Sequence, residues 1–301
     1  MSHAELRSLA HAKVNLTLEV LGRRPDGFHA IRSLMVPIAL ADRLTLSPRR
    51  RGLTIAVPGA PALENGDNLA LRAATLFREH FGLDGLHIVL EKRIPLAAGL
   101  GGGSSDAAAV LRALARQRGV RPPLLHPLAE ALGSDVPFFL RERPALATGR
   151  GETLTPAPAL PVLHLLLVKP GFGISAAAAY REWSIAHPGL TLTHTGANTT
   201  SVPGWPARQG VSSVPGVGKR LVNDLQAGCG RLQPELHSLL RRLSGLGAAG
   251  VLMSGSGSTC FAIFASARAL RDARRRFEPL SGETVFASRT LRSTPARSPR
   301  D

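Results

Sequence analysis

Residues 95–106 read Pro95-Leu96-Ala97-Ala98-Gly99-Leu100-Gly101-Gly102-Gly103-Ser104-Ser105-Asp106. An apolar run, Leu86–Leu90, precedes them and predicts a strand. An alanine-rich stretch with Val110, Leu111 and Leu114 at helical spacing follows and predicts a helix from Asp106 to Gln117. A strand feeding a Gly/Ser loop and then a helix makes an anion site, because unpaired N–H groups and the positive end of the helix dipole converge there. Glycines let a phosphate approach the backbone. Without a ligand, three consecutive glycines would only cost order at the helix start. Two familiar phosphate loops do not fit. A Walker A loop ends in Gly-Lys-[Ser/Thr], whereas Gly103 is followed by Ser104. A dinucleotide fingerprint needs a small closing residue where Ser104 stands and an acid about 20 positions on; after Asp106 the next acid is Glu130.

Upstream, Val14, Leu16, Leu18 and Val20 alternate with Lys13, Asn15, Thr17 and Glu19, predicting a strand over Ala12–Leu21 with Lys13 and Asn15 on one face. Arg24-Pro25-Asp26-Gly27 is turn chemistry before Phe28-His29. Strands are expected at Met35–Leu46 and Leu53–Val57, then a turn and helix cap at Asn65-Gly66-Asp67-Asn68, then a helix over Leu69–Phe81. Leu124–Leu132 is a short helix ending in Gly133-Ser134-Asp135-Val136-Pro137. Residues 155–161 have linker composition. Beyond them come a buried strand at Val162–Val168, a surface excursion over 187–218, and a strand–loop–strand at Val251–Met253, Ser254–Thr259 and Cys260–Phe264. An Arg-rich helix from about Ala267, a strand at Thr284–Leu291 and a disordered tail at 294–301 complete the chain.

Composition narrows the function classes. A chain of 301 residues, 44% hydrophobic, can bury a substantial core. No apolar run approaches the roughly 18–20 residues of a membrane span, and the charged N-terminus lacks a signal-peptide core, so a cytoplasmic protein is expected. Two cysteines, Cys229 and Cys260, make neither a disulfide scaffold nor a zinc cage and read as packing residues. The net charge of +16 invites a nucleic-acid reading, but aromatics are only 4%, leaving few base-stacking platforms. Four of the 37 basic residues are lysine, so 37 − 4 = 33 are arginine, scattered as on a solvated surface. His11, His126 and His164 have no metal-ligand spacing, and Gly255-Ser256-Gly257 precedes a strand rather than the helix of a nucleophile elbow.

Three segments together resemble one family. Pro95–Ser105 with Asp106-Ala107-Ala108 is similar to the second motif of the GHMP small-molecule kinases. Ala12-Lys13-Val14-Asn15-Leu16 resembles their first motif, and Met253-Ser254-Gly255-Ser256-Gly257-Ser258 their third. Arg24-Pro25-Asp26-Gly27-Phe28-His29, Gly101–Gly103 and Gly133–Pro137 resemble the branch that acts on a cytidine diphosphate methylerythritol in non-mevalonate isoprenoid synthesis.

The resemblance implies a two-lobed α+β fold. Residues 1–155 would form a lobe like ribosomal protein S5 domain 2, carrying ATP binding and catalysis, and 156–293 the GHMP C-terminal lobe. It implies phosphoryl transfer from ATP to an alcohol, with Mg²⁺ accompanying the nucleotide and no protein metal ligand assigned. Asp135 and Lys13 match the family's catalytic aspartate and lysine; residue by residue, a turn-capping aspartate and a solvated strand lysine are the alternatives. Pro95–Ser105 and Asn68 would bind ATP, and Gly255, Ser256 and Gly257 would lie near its phosphates. Ser105 is a nucleotide or metal contact or else a helix cap, Asn68 is equally a cap, and Asp106 could complement the helix dipole. Asn15, Phe28, His29 and Tyr180 would bind the small-molecule substrate, the two rings facing a cytosine unless they are core aromatics. Phe28 stands where the family has tyrosine, and Ala176 where it often has threonine. The implied protein is a monomer or weak homodimer with no nucleic-acid or membrane partner. Another GHMP alcohol kinase and a basic S5-like nucleic-acid-binding protein are the rival readings.

Overall fold

The computed structural model describes residues 5–157, 159–191 and 211–291. The first half runs β1 (Leu6–Arg23), β2 (His29–Arg49), β3 (Gly52–Ala56), α1 (Leu69–Phe81), β4 (Gly85–Glu91), α2 (Gly102–Arg118), α3 (His126–Leu132), α4 (Val136–Arg141), β5 (Ala145–Thr148) and β6 (Thr153–Pro156). The second half runs β7 (His164–Lys169), α5 (Ala176–Ala186), α6 (Val214–Gly218), β8 (Val222–Asn223), α7 (Gln226–Leu232), α8 (Glu235–Ser244), β9 (Gly250–Met253), β10 (Cys260–Phe264), α9 (Ala267–Arg276) and β11 (Thr284–Arg289).

The strands form two sheets. One has the order β3-β4-β2-β1-β8 with β5 and β6 attached through β2; the other is antiparallel, β11-β7-β10-β9. Alternation along the strands sorts the core into layers. Leu44, Leu46, Ile88 and Leu90 of the first sheet pack against Phe77 of α1, Val110 and Leu114 of α2 and Phe138 of α4. Val14, Leu16, Val36 and Ile38 turn the other way and meet Leu165, Leu167, Phe261 and Ile263 of the second sheet. That sheet's far face, Leu166, Val168 and Ala262, is covered by Trp183, Leu236, Leu239 and Leu270. The order is therefore helices, sheet, sheet, helices, and β7 reads as continuously apolar because both its faces are buried. The halves are interleaved: β8 pairs in parallel with β1, Thr17 opposite Val222.

Three expectations need correction. α2 starts at Gly102, not Asp106, so the glycines form its first turn. Helix propensity is overridden there by packing, since a Cβ on Gly102 would lie 3.0 Å from Ile94 Cγ2. Ser105 is consequently not a cap; Gly101, in the left-handed region at φ 72°, holds that position. Within the excursion over 187–218, residues 214–218 form α6 with Val214 and Val217 buried, while 192–210 lie outside the described residues, as does the tail 294–301.

Candidate active site

The glycine loop is held from beneath by its carbonyls. The Lys13 N–H of β1 donates to Leu100 O at 3.0 Å, Thr259 N–H to Ala98 O at 3.3 Å, and Ser254 Oγ to Gly99 O at 3.1 Å. The second and third glycine-rich segments thus bind each other, so closely that a Cβ on Gly99 would sit 2.2 Å from Ser254 O. Asn223 of β8 completes the contact, its Nδ2 donating to Met253 O and Gly255 O, each at 2.8 Å.

A buried charge cluster underlies the start of α2. Lys92 Nζ donates to Asp42 Oδ2 at 2.5 Å and to Asp106 Oδ2 at 2.7 Å, and Asp42 Oδ1 accepts the N–H groups of Arg93 and Ile94. Burial alone would lower the Lys92 pKa, but the two carboxylates reverse that and raise it. Asp106 is pushed up by its own burial, against the pull of Lys92 and with the like charge of Asp42 adding to the rise. Asp106 therefore does more than complement a helix dipole: it ties the helix to β2 through Lys92. Ser105 is fully buried and donates to His11 O at 2.7 Å, a structural bond from helix to β1.

Lys13 and Asn15 sit on one face of β1 as alternation predicts, yet that face is buried. Lys13 Nζ donates to Asn15 Oδ1 at 2.6 Å and lies 3.6 Å from Asp135 Oδ2. Asn15 Nδ2 donates to Ser33 Oγ at 2.7 Å, and Ser33 in turn donates to Thr17 O at 2.6 Å. This chain fixes the ammonium, so the solvated-lysine alternative fails. Asp135 stands at the N-terminal boundary of α4 without a side-chain capping bond, and its carboxylate faces Lys13 instead.

Phe28 is 52% exposed, which rules out a core aromatic. His29 stacks on Tyr180 at 5.0 Å between centroids and meets the edge of Trp183 at 5.7 Å, with Nε2 2.7 Å from Ser184 Oγ. Burial, then the nearby charge of Arg23, lowers the His29 pKa. Burial raises that of Tyr180, with the Asp135 charge adding to it. One cleft of about 730 Å³ is lined by Lys13, Asn15, Asp135, Gly99, Gly101, Gly255 and Ser256 and also by Phe28, His29, Ala176 and Tyr180.

Comparison with known proteins gives this constellation a context. Residues 68–143 match the model of the GHMP kinases N terminal domain, and 213–279 that of the GHMP kinases C terminal domain. A Moorella thermoacetica protein named 4-diphosphocytidyl-2-C-methyl-D-erythritol kinase is 43% identical, over 94% of this chain and 98% of its own length. A kinase of the same name from Anaeromyxobacter sp. strain Fw109-5 is 46% identical over 98% of this chain and 96% of its own. The chain belongs to the 4-diphosphocytidyl-2-C-methyl-D-erythritol kinase family.

A solved 4-(cytidine 5'-diphospho)-2C-methyl-D-erythritol kinase, 37% identical, superposes with a TM-score of 0.72 over 96% of this chain and all of that one. L. major mevalonate kinase, at 18% identity and a TM-score of 0.68 over 97% of this chain and 98% of its own, shares the fold alone. As a GHMP kinase of this family the protein is an ATP-dependent phosphotransferase acting on an alcohol group. Of the residues expected at the nucleotide, Gly99, Gly101, Gly255 and Ser256 line the cleft, whereas Pro95–Ala98, Leu100, Gly102–Ser105, Asn68 and Gly257 do not. Asn68 caps α1, Oδ1 accepting from Ala70 N–H at 3.0 Å and Nδ2 donating to Leu63 O at 2.9 Å. Gly257 packs inward, where a Cβ would meet Met253 Sδ at 2.7 Å. Ser33, Ser184 and Asn223 escape sequence reasoning. Each acts through a partner far along the chain, and a lone serine or asparagine in a strand or helix carries no local signal.

Proposed function

We propose that the protein transfers the γ-phosphoryl group of ATP to the 2-hydroxyl of 4-diphosphocytidyl-2-C-methyl-D-erythritol, giving the 2-phosphate and ADP. The observation that carries this reading is the Lys13–Asp135 pair, 3.6 Å apart, in a cleft shared by the glycine loops and the Phe28–His29–Tyr180 cluster. In the proposed step the Asp135 carboxylate takes the hydroxyl proton while the alcohol oxygen attacks the γ-phosphorus and the bond to the bridging oxygen of ADP breaks. Lys13, oriented by Asn15, would stabilise charge on the transferring group. Within Pro95–Ser105, which contains no lysine or arginine, the N–H groups between Gly99 and Ser104 would hold the phosphates. Phe28 and Tyr180 would supply aromatic faces for the cytosine, and His29 a polar edge.

Magnesium is proposed to arrive with ATP. Among the described residues no group of three His, Cys, Asp or Glu side chains could cage a metal, and Asp135 is paired with Lys13. The donor set thus suits an ion held by nucleotide phosphates, and no step is assigned to it. No helix of the described residues is long and apolar enough to cross a membrane. We further propose a lobe boundary at 155/156, a cytoplasmic monomer or weak homodimer, and no nucleic-acid partner.

A coupled ADP-release assay with the cytidine-linked alcohol and with cytidine-free alcohols tests the reading. Turnover should require the cytidine-linked substrate, and Asp135→Asn should lose at least about a hundredfold in kcat, the scale of general-base assistance. A folded Asp135→Asn protein with near-normal turnover would overturn the Asp135 assignment. Equal turnover of cytidine-free alcohols would favour another GHMP specificity.

A further inference from the structure

The acceptor proposed above carries a diphosphate of its own, between its base and its reacting alcohol. Such a group needs cations in the middle of the cleft. The wall offers Lys13, Arg23, Arg150 and Arg181 against one carboxylate, Asp135. Lys13 is already bound to Asn15 and Asp135. Arg150 lines the same wall, on a turn whose next residue abuts the reacting end.

Its position follows from the turn that joins β5 to β6. Ile31 N–H donates to Gly149 O at 2.8 Å, fastening the turn to β2. Glu152 Oε2 accepts the Arg150 N–H at 2.6 Å. Gly149, at φ 71°, leaves room for that carboxylate, since a Cβ there would lie 2.6 Å from Glu152 Oε1. Two residues on from Gly149, a Cβ at Gly151 would sit 3.8 Å from Asp135 Oδ1, so the turn abuts the reacting end. The Arg150 guanidinium meanwhile lies 4.9 Å over the Phe28 ring, at the base end.

A guanidinium lying over a ring can still direct N–H groups to a phosphate, in a fork that matches two oxygens. Its acidic competitors are weak. Glu152 reaches Nε only at 4.0 Å, and Asp26 is paired with Arg24 at 2.9 Å. We infer that Arg150 binds the diphosphate of the cytidine-linked acceptor and determines specificity for a nucleoside diphosphate over a nucleoside. The inference rests on the acceptor assigned above.

Calorimetric titration with CDP and with cytidine separates charge recognition from ring stacking. Arg150→Met keeps an apolar stem over Phe28 and removes the fork; Arg150→Lys keeps only a point charge. Arg150→Met should weaken CDP binding at least about tenfold, as for a lost charged hydrogen bond, and leave cytidine within about twofold. Arg150→Lys should recover part of the loss. The KM for the cytidine-linked alcohol should rise in parallel while that for ATP holds. Unchanged CDP affinity would overturn the proposal, as would equal weakening of CDP and cytidine, which would reduce Arg150 to a support for Phe28. A wild-type protein that binds CDP through Arg150 but releases no ADP with the cytidine-linked alcohol would sink the acceptor assignment and leave the diphosphate site standing.

Discussion

Gly99→Ala tests whether the two glycine-rich loops act as one unit. Gly99 has φ +71°, so any side chain there carries left-handed strain of about 1–2 kcal/mol. The new Cβ would also stand 2.2 Å from Ser254 O and 2.9 Å from Gly257 O, both backbone atoms. Restoring ordinary contact at 3.4 Å requires the loops to part by 3.4 − 2.2 = 1.2 Å. Gly119 is the internal control. Its φ is +67° and nothing lies within 4 Å of its Cβ position, so Gly119→Ala carries the strain without the collision. Gly119→Ala should lose about 1–2 kcal/mol in urea unfolding, and Gly99→Ala should lose more, because the backbone collision adds an overpacking cost of about 1–3 kcal/mol. Only Gly99→Ala should lose activity, on the order of a hundredfold in kcat/KM for ATP, because about 1 Å of misplacement at a reacting centre costs that much. The assay is ADP release over an ATP titration at saturating acceptor. If Gly99→Ala turns over like Gly119→Ala, the contact between the loops does not position the phosphates, and the reasoning fails.

Other outcomes follow from the same geometry. Phe28→Ala should raise the KM for the cytidine-linked alcohol more than that for ATP without lowering stability, since the ring is 52% exposed; equal KM effects would deny it a role at the base end. Lys92→Met leaves Asp42 and Asp106 buried without their shared cation, so urea unfolding should show a loss of about 3 kcal/mol or more; a loss under about 1 kcal/mol would refute the cluster's structural role. Burial alone would raise the Glu142 pKa, but the His11 hydrogen bond and the Arg112 charge overcome it and lower the value. Its stabilising effect is therefore complete above the ordinary carboxylate value near ~4.3 and is lost as pH falls through the lowered folded value. Glu142→Gln should flatten that acid limb of the stability profile, and an unaltered limb would show that the group does not contribute.

Much of the site was legible because its chemistry is local in sequence. Ala12–Leu16, Pro95–Ser105 and Met253–Ser258 each carry residue types that the backbone geometry demands, and Lys13 and Asn15 share a face by strand alternation alone. The start of α2 was not legible, since glycine and serine propensities argue for a loop until Ile94 and Lys92 pack against Gly102. Nor was the fate of Ser105, whose hydroxyl is claimed by His11 O across the sheet.

The sequence by itself determined where another group can come close to the backbone, because the absence of a Cβ is a property of each glycine wherever the chain takes it. It also determined which residue types could move a proton or hold a ring. Only the tertiary structure decided that Lys13 meets Asp135, that Asn223 ties down the third loop, and that Arg150, among 37 − 4 = 33 arginines, lies over Phe28 in the cleft that Asp135 also lines. Charge at these distances depends on which segments the two sheets bring together, and scattered arginines look alike until a hairpin turn anchored to β2 aims one of them into the cleft.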